Sequence, residues 1–256
     1  MGTTIAVVNK KGGVGKTTTV INLAASLCAL GKKALVVDTD PQANACLGLG
    51  IDIRSVSKSL YDCLAGTATT QEAVVATDTE NLYVLPSHPS LVVAERELLR
   101  TNEREKRMQE LLHPLRDGYD YIFLDCSPSL GLITVNALTA ADTVIIPLQC
   151  EYFALSGMTQ LLNTVKIIRN RLNPGLEIEG FLITMFDARM RQSQAIRQAV
   201  LDHFRELVFE TVIRRSSRLS ESQRFAKPMI TYDAGSTGAQ DYMRLAAEIL
   251  ERAGKG

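Results

Sequence analysis

The stretch Thr4-Ile5-Ala6-Val7-Val8-Asn9-Lys10-Lys11-Gly12-Gly13-Val14-Gly15-Lys16-Thr17 decides how this chain folds. Its first six residues form a short apolar run suited to a β-strand, a Gly/Lys cluster follows, and 20–27 has helical character, so the order reads strand, loop, helix. Gly31 ends that helix, and 34–37 is a second buried strand running straight into Asp38-Thr39-Asp40-Pro41. Farther along, apolar runs of strand length recur at 82–85, 121–124, 143–147 and 178–185. Helical patterns occupy 91–99, 104–112, 158–172, 194–204 and 240–250, with apolar residues near a 3.6 period. This alternation implies an α/β fold, a mostly parallel twisted sheet with helices on both faces. Ligands of such sheets bind outside the carboxyl ends of the strands. The segments 10–17, 38–41 and 125–128 each follow a strand-like run directly and are expected to gather there.

The 256 residues carry 28 Lys+Arg against 28 Asp+Glu, which excludes a disordered polyelectrolyte. No Pro/Gly/Ser-rich linker divides the chain, so 1–256 is expected to be a single domain. No apolar run approaches a membrane span and no secretory signal is visible, so the expected location is the cytoplasm. Cys28, Cys46, Cys63, Cys126 and Cys150 are isolated and odd in number, which favours reduced, buried thiols over disulfides or zinc. An iron–sulfur cluster shared between two subunits stays as a minor alternative.

The Gly/Lys cluster ends in the G-K-T of a phosphate loop, although the common pattern asks for Gly where this chain has Lys10. Glycines let backbone N–H groups turn toward phosphate oxygens, and the helix starting near Lys16 adds its dipole. In that reading Lys16 reaches the β/γ-phosphates and Thr17 offers its hydroxyl to Mg²⁺. The bland alternative is a Gly-rich turn with incidental lysines. Tyr121-Ile122-Phe123-Leu124-Asp125 is an apolar strand ending in a carboxylate, the arrangement of a Walker B box, which makes Asp125 a candidate Mg²⁺ ligand. Asp38 and Asp40 follow a strand at the same edge, and either can also serve as a turn cap.

Lys11 is the oddity, because a second ammonium in a loop already holding Lys16 costs repulsion unless a highly charged anion is near. Lys11-Gly12-Gly13-Val14-Gly15-Lys16-Thr17 resembles the deviant Walker A box of the ParA/MinD/NifH group of P-loop ATPases. Further matches resemble the Soj-type branch of ParA: 38–42, 124–130, 147–155, 182–189 and 218–221. The resemblance implies ATP and Mg²⁺ as ligands, with slow hydrolysis of ATP by the protein alone. It also implies an ATP-sandwich homodimer in which Lys11 reaches the facing subunit's nucleotide, Asp40 orients the attacking water, and Asp38 supports the Mg²⁺ environment. Nucleotide contacts carried over by resemblance are Lys11, Gly12, Gly13, Val14, Gly15, Lys16, Thr17, Thr18, Met185, Ile213, Arg214 and Arg215. One departure stands out: the family's I-P-R-N loop reads Ile213-Arg214-Arg215-Ser216 here. The chain resembles the short kind without an N-terminal helix-turn-helix.

From Arg189 to Lys227 nine basic residues face four acidic ones, so a neutral protein holds a +5 segment. Arg189, Arg197, Arg215, Arg218, Arg224 and Lys227 are candidates for sequence-independent contact with double-stranded DNA phosphates, the alternative being a solvated helix face. The resemblance further implies a ParB-like partner, chromosome or plasmid partitioning, and association with the nucleoid in the ATP state. A MinD-like or other positioning ATPase acting on a membrane or protein cargo is the rival reading. It asks for a basic amphipathic C-terminal helix, whereas the apolar stripe Tyr242, Leu245, Ala246, Ile249 and Leu250 suits docking onto the body, so no membrane partner is expected.

Overall fold

A computed structural model describes residues 1–151 and 154–254. Its strands are β1 (Thr3–Val7), β2 (Ala34–Asp38), β3 (Val75–Ala76), β4 (Leu82–Leu85), β5 (Tyr121–Asp125), β6 (Thr143–Gln149) and β7 (Glu177–Thr184). They form one sheet in the order β3-β4-β2-β5-β1-β6-β7, parallel throughout except for the two-residue edge strand β3. The helices are α1 (Lys16–Ala29), α2 (Asn44–Gly48), α3 (Leu60–Ala65), α4 (Thr70–Ala73), α5 (Leu91–Leu98), α6 (Arg107–Leu112), α7 (Leu132–Ala140), α8 (Ala154–Arg171), α9 (Arg191–Phe204), α10 (Ser217–Arg224), α11 (Met229–Tyr232) and α12 (Thr237–Ala253).

Alternate residues of the inner strands enter two different cores, as the period of a strand requires. Ala6, Leu35, Val37, Ile122 and Leu124 face one side, while Ile5, Val7, Ala34, Val36 and Phe123 face the other. The second core lies under α1 and α12, where Leu23, Leu27, Tyr242, Leu245 and Ile249 are buried together. The apolar stripe of α12 is thus docked onto the body, as its sequence suggests.

Two element boundaries move for local reasons. The helix expected from 104 begins at Arg107, because Glu103 takes a left-handed φ of 51° and the buried Asn136 amide takes up the Arg104 carbonyl and the Met108 N–H, which a helix through 104 would pair with each other. The strand expected to reach 185 stops at Thr184, since Met185 also turns left-handed. Cys28, Cys46, Cys63 and Cys126 are buried free thiols, and Cys150 is half-buried.

Candidate functional site

Parallel pairing sets the carboxyl ends of β1, β2 and β5 side by side, with Val7 and Asp38 both opposite Asp125. The three segments expected to converge therefore do. The loop leaving β1 is tied down by Asn9, whose amide donates to the Pro147 carbonyl at 2.7 Å and whose Oδ1 accepts the Lys11 N–H. Thr184 Oγ1 at the end of β7 donates to the Val14 carbonyl at 2.7 Å. Gly13 and Gly15 adopt φ of 75° and 94°, a region costly for any side chain, and that path turns the chain into α1. Gly15 caps α1 without any side-chain bond, so the amides of its first turn are left for an anion. The Lys16 ammonium folds back to the Lys11 carbonyl at 3.2 Å. Burial pushes its pKa down, and the charges of Asp125 and Asp40 oppose that.

Asp38 and Asp125 are wholly buried. Neither oxygen of Asp125 has a hydrogen bond of ordinary geometry. Burial, and next the charge of Asp38, hold the Asp125 carboxyl well above the usual range, while the Thr17 hydroxyl and Lys16 pull it down. An orphaned, buried carboxylate beside a hydroxyl is a donor set that a divalent cation suits. Among the described residues no group of three or more His, Cys, Asp or Glu is placed to hold a metal. A cation held there would draw on Asp125 and the Thr17 hydroxyl, with oxygens of a bound ligand and water able to supply the rest.

Asp38, expected to support that cation, does something else with its oxygens. Oδ1 accepts the Asp40 N–H at 3.1 Å and Oδ2 accepts the Cys46 N–H at 2.9 Å, so the side chain holds the backbone of the next loop. Asp40 is half-exposed; its Oδ1 accepts the Gln42 N–H and its carbonyl accepts the Ser87 hydroxyl at 2.5 Å.

A cavity of about 680 Å³ opens at this edge, lined by Gly12, Gly13, Gly15, Lys16, Thr17, Thr18 and Asp40, then by Asn44, Leu47 and Gly48 of α2, by Pro128 and Met185, and by Ser220, Gln223 and Arg224 of α10. A second cavity of about 370 Å³ shares Gly15, Thr18, Met185, Ser220 and Gln223 with it, and adds Ile213, Arg214, Arg215 and Tyr242. Met185, Ile213, Arg214 and Arg215, expected as nucleotide contacts, thus meet around one space next to the phosphate loop. Arg214 lines it with its guanidinium already committed: Nη2 donates to Asp241 at 2.7 Å, and its backbone N–H donates to the same carboxylate at 3.0 Å. That N–H exists because Arg stands where the family pattern has Pro.

The structure does not bring Lys11 into either cavity; its ammonium pairs with Glu151 of the same chain. The basic candidates also scatter. Arg215 and Arg224 line the cavities. Arg189, with 89% of its side chain exposed, is paired to Asp187, Arg218 is paired to Asp233 and Glu221, Arg197 is half-buried, and Lys227 is exposed. The expected match at 147–155 is only partly visible, since Tyr152 and Phe153 lie outside the described residues.

Sequence reasoning missed Asn44, Leu47, Gly48, Ser220 and Gln223 as lining residues, because α2 and α10 are too short for a periodic signal. Gly48 carries a steric clue, as a Cβ there would stand 2.5 Å from Ile21 Cδ1 of α1. Gln223 links the site to α10 directly, donating to the Thr18 hydroxyl at 2.9 Å.

A family model described as an AAA domain (AAA_31) matches residues 2–178. The chain is 50% identical over 249 residues to the sporulation initiation inhibitor protein Soj of Bacillus subtilis (strain 168), spanning 97% of this chain and 98% of Soj. It is 46% identical over 252 residues to the chromosome partitioning protein ParA of Myxococcus xanthus (strain DK1622), spanning 98% and 89%. A solved structure described as cobyrinic acid a,c-diamide synthase from Mycobacterium smegmatis, with bound ADP and magnesium, superposes with a TM-score of 0.87 at 36% identity, over 99% of this chain and 96% of that one.

Proposed function

Because the chain belongs to the ParA/Soj family of P-loop chromosome-partitioning ATPases, we propose that it binds Mg·ATP, closes into a sandwich dimer, holds duplex DNA without sequence preference, and lets go after hydrolysis. The observation that carries this reading is the shared wall of the two cavities. Gln223 and Arg224, which border the phosphate loop, sit on α10, the helix that also bears Arg218 and leads to Lys227. A ligand that changes how α10 sits against Thr18 changes the basic segment with it.

In this reading 1–256 acts as one ATPase domain, Lys16 and the amides of the loop bind the phosphates, and Thr17 and Asp125 are the residues that would hold Mg²⁺, whose charge would offset that of the phosphates. Asp40 orients the attacking water, and Lys11 leaves Glu151 to reach the ATP of the facing subunit. Met185, Ile213 and the backbone of Arg214 and Arg215 surround the base. A ParB-like protein is the partner, and the nucleoid is the place of the ATP state. Against a lipid-bound alternative stands α12, whose apolar side chains are buried in the second core. Among the described residues no helix is long and apolar enough to cross a membrane.

Retention on random-sequence duplex with ATP, ADP or no nucleotide, across a salt series, tests the switch. Binding is expected with ATP alone, with log K falling by about 0.9 per phosphate contact for each tenfold rise in salt. Arg189→Glu with Lys227→Glu should weaken it while ATP affinity stays. Equal retention in all three states would overturn the reading.

A further inference from the structure

β2 and β4 are neighbours, with Val37 opposite Leu85, so the segments leaving their carboxyl ends run side by side. One carries Asp38-Thr39-Asp40 and the other Pro86-Ser87. Ser87 is 1% exposed and lines neither cavity. Its hydroxyl donates to the Asp40 carbonyl at 2.5 Å, and its N–H donates to Cys46 Sγ at 3.4 Å. On the other flank the Asp40 N–H is held by Asp38 Oδ1, and the Thr39 hydroxyl is anchored on the Asp125 carbonyl at 2.8 Å.

Both peptide groups that meet at the Asp40 Cα are therefore fixed by buried side chains, one at the end of β2 and one just beyond β4. Rotation of either would swing the Cα–Cβ bond and with it the carboxylate. A carboxylate that aligns a water acts only at the right place, and a displacement of about 1 Å costs orders of magnitude in rate. The Asp38 contact restrains the N–H side; without Ser87 the carbonyl side keeps only the turn bond from the Ala43 N–H, which moves with the same loop.

We propose that Ser87 is a positioning residue for ATP hydrolysis, its hydroxyl fixing the main chain of Asp40 so that the carboxylate meets the attacking water. The proposal rests on the reading of Asp40 as the water-orienting group. Ser87 lines neither cavity, so its role passes through the main chain of Asp40. A serine that merely stabilised the fold would affect ATP binding and turnover together, whereas a positioning serine affects turnover alone.

The test places Ser87→Ala in the parental chain and in an Asp40→Ala chain, and measures kcat, KM and the affinity for a non-hydrolysable ATP analogue. Sedimentation with Mg·ATP adds a readout that does not depend on turnover. Loss of one buried hydrogen bond is expected to lower kcat by about tenfold while KM and analogue affinity stay within about twofold. ATP-bound dimer should accumulate, and the substitution should change nothing further once Asp40 is gone. Ser87→Cys keeps the volume with a weaker donor and should shift kcat in the same direction. Parental kcat in both Ser87 variants, or affinity falling in step with kcat, would overturn the proposal. An Asp40→Ala chain that hydrolyses ATP at the parental rate would instead overturn the reading of Asp40.

Discussion

Asp125 and Asp241 are both wholly out of solvent, and they differ in what meets them. Asp125 ends a central strand, and neither of its oxygens has a hydrogen bond of ordinary geometry. Asp241, on α12, accepts the backbone N–H and the guanidinium of Arg214 and is paired with Arg244 as well. Burying a charge is expensive, and the expense is offset either by partners in the chain or by a ligand. The first case builds structure, since Asp241 fixes the loop that borders the second cavity. The second leaves a carboxylate that gains most from a cation, which is why Asp125 reads as part of the site and Asp241 does not.

The largest effect expected from this contrast is on stability. Asp241→Ala strands two arginines at a packed loop and should cost about 3 kcal/mol, at the low end for a buried pair because both guanidiniums keep solvent contact. Urea denaturation measures it. Asp125→Asn should cost nothing in the nucleotide-free protein. The pH dependence separates the two cases further. The Asp125 carboxyl is raised above the ordinary aspartate value of 3.8, so between that value and its folded pKa the native state holds the proton that the unfolded state has released. Stability therefore falls as pH rises from about 4 upward, and the advantage of Asp125→Asn over the parent should grow over the same range. An advantage that shrinks with rising pH would break the comparison.

Next in size is Lys16→Ala, which removes a charge-assisted contact worth roughly 1.5–3 kcal/mol and should weaken ATP binding tenfold or more. Calorimetry decides it. The turn itself was legible in the sequence, because a Gly/Lys loop between strand and helix is written in contiguous residues, and the glycines specify the left-handed path seen at Gly13 and Gly15. The strand-end acids were legible for a similar reason: apolar runs fix where the strands stop, and parallel pairing then gathers their ends. Asp38 was legible as a site neighbour but not as a backbone anchor, because its partner Cys46 lies on a helix of five residues. The 189–227 segment was least legible. Its charge count is correct, yet Asp233 and Asp241, the acids that occupy Arg218 and Arg214, lie outside that stretch of chain.

Lys11 sharpens the contrast at intermediate scale, since its partner Glu151 is exposed and gives it up at little cost. Lys11→Ala should bind ATP and fail to dimerise. Subunits of Lys11→Ala mixed with Asp40→Ala should regain hydrolysis beyond the sum of the two if the lysine works in trans. Complete absence of gain, in mixed dimers shown to form, argues that it does not.

The smallest expected effect concerns Arg218, the exposed counterpart of Arg214. Its guanidinium donates to Asp233 at 2.7 Å and to Glu221 at 3.1 Å, with half of the side chain in solvent, and lies over the Tyr232 ring at 5.6 Å. Pairs of this kind are screened and contribute little to folding, so Arg218→Ala should leave the urea midpoint where it is. Its influence should appear only on DNA, where the log K against log salt slope flattens by about 0.9 for each phosphate contact removed. The two acids also cap that influence, because Arg218 must share itself between them and a phosphate. Replacing Asp233 by Asn frees the guanidinium and should steepen the slope in the opposite direction. A destabilised Arg218→Ala protein would show that exposure does not separate Arg218 from Arg214. Unchanged slopes in both variants would take Arg218 out of the DNA surface altogether.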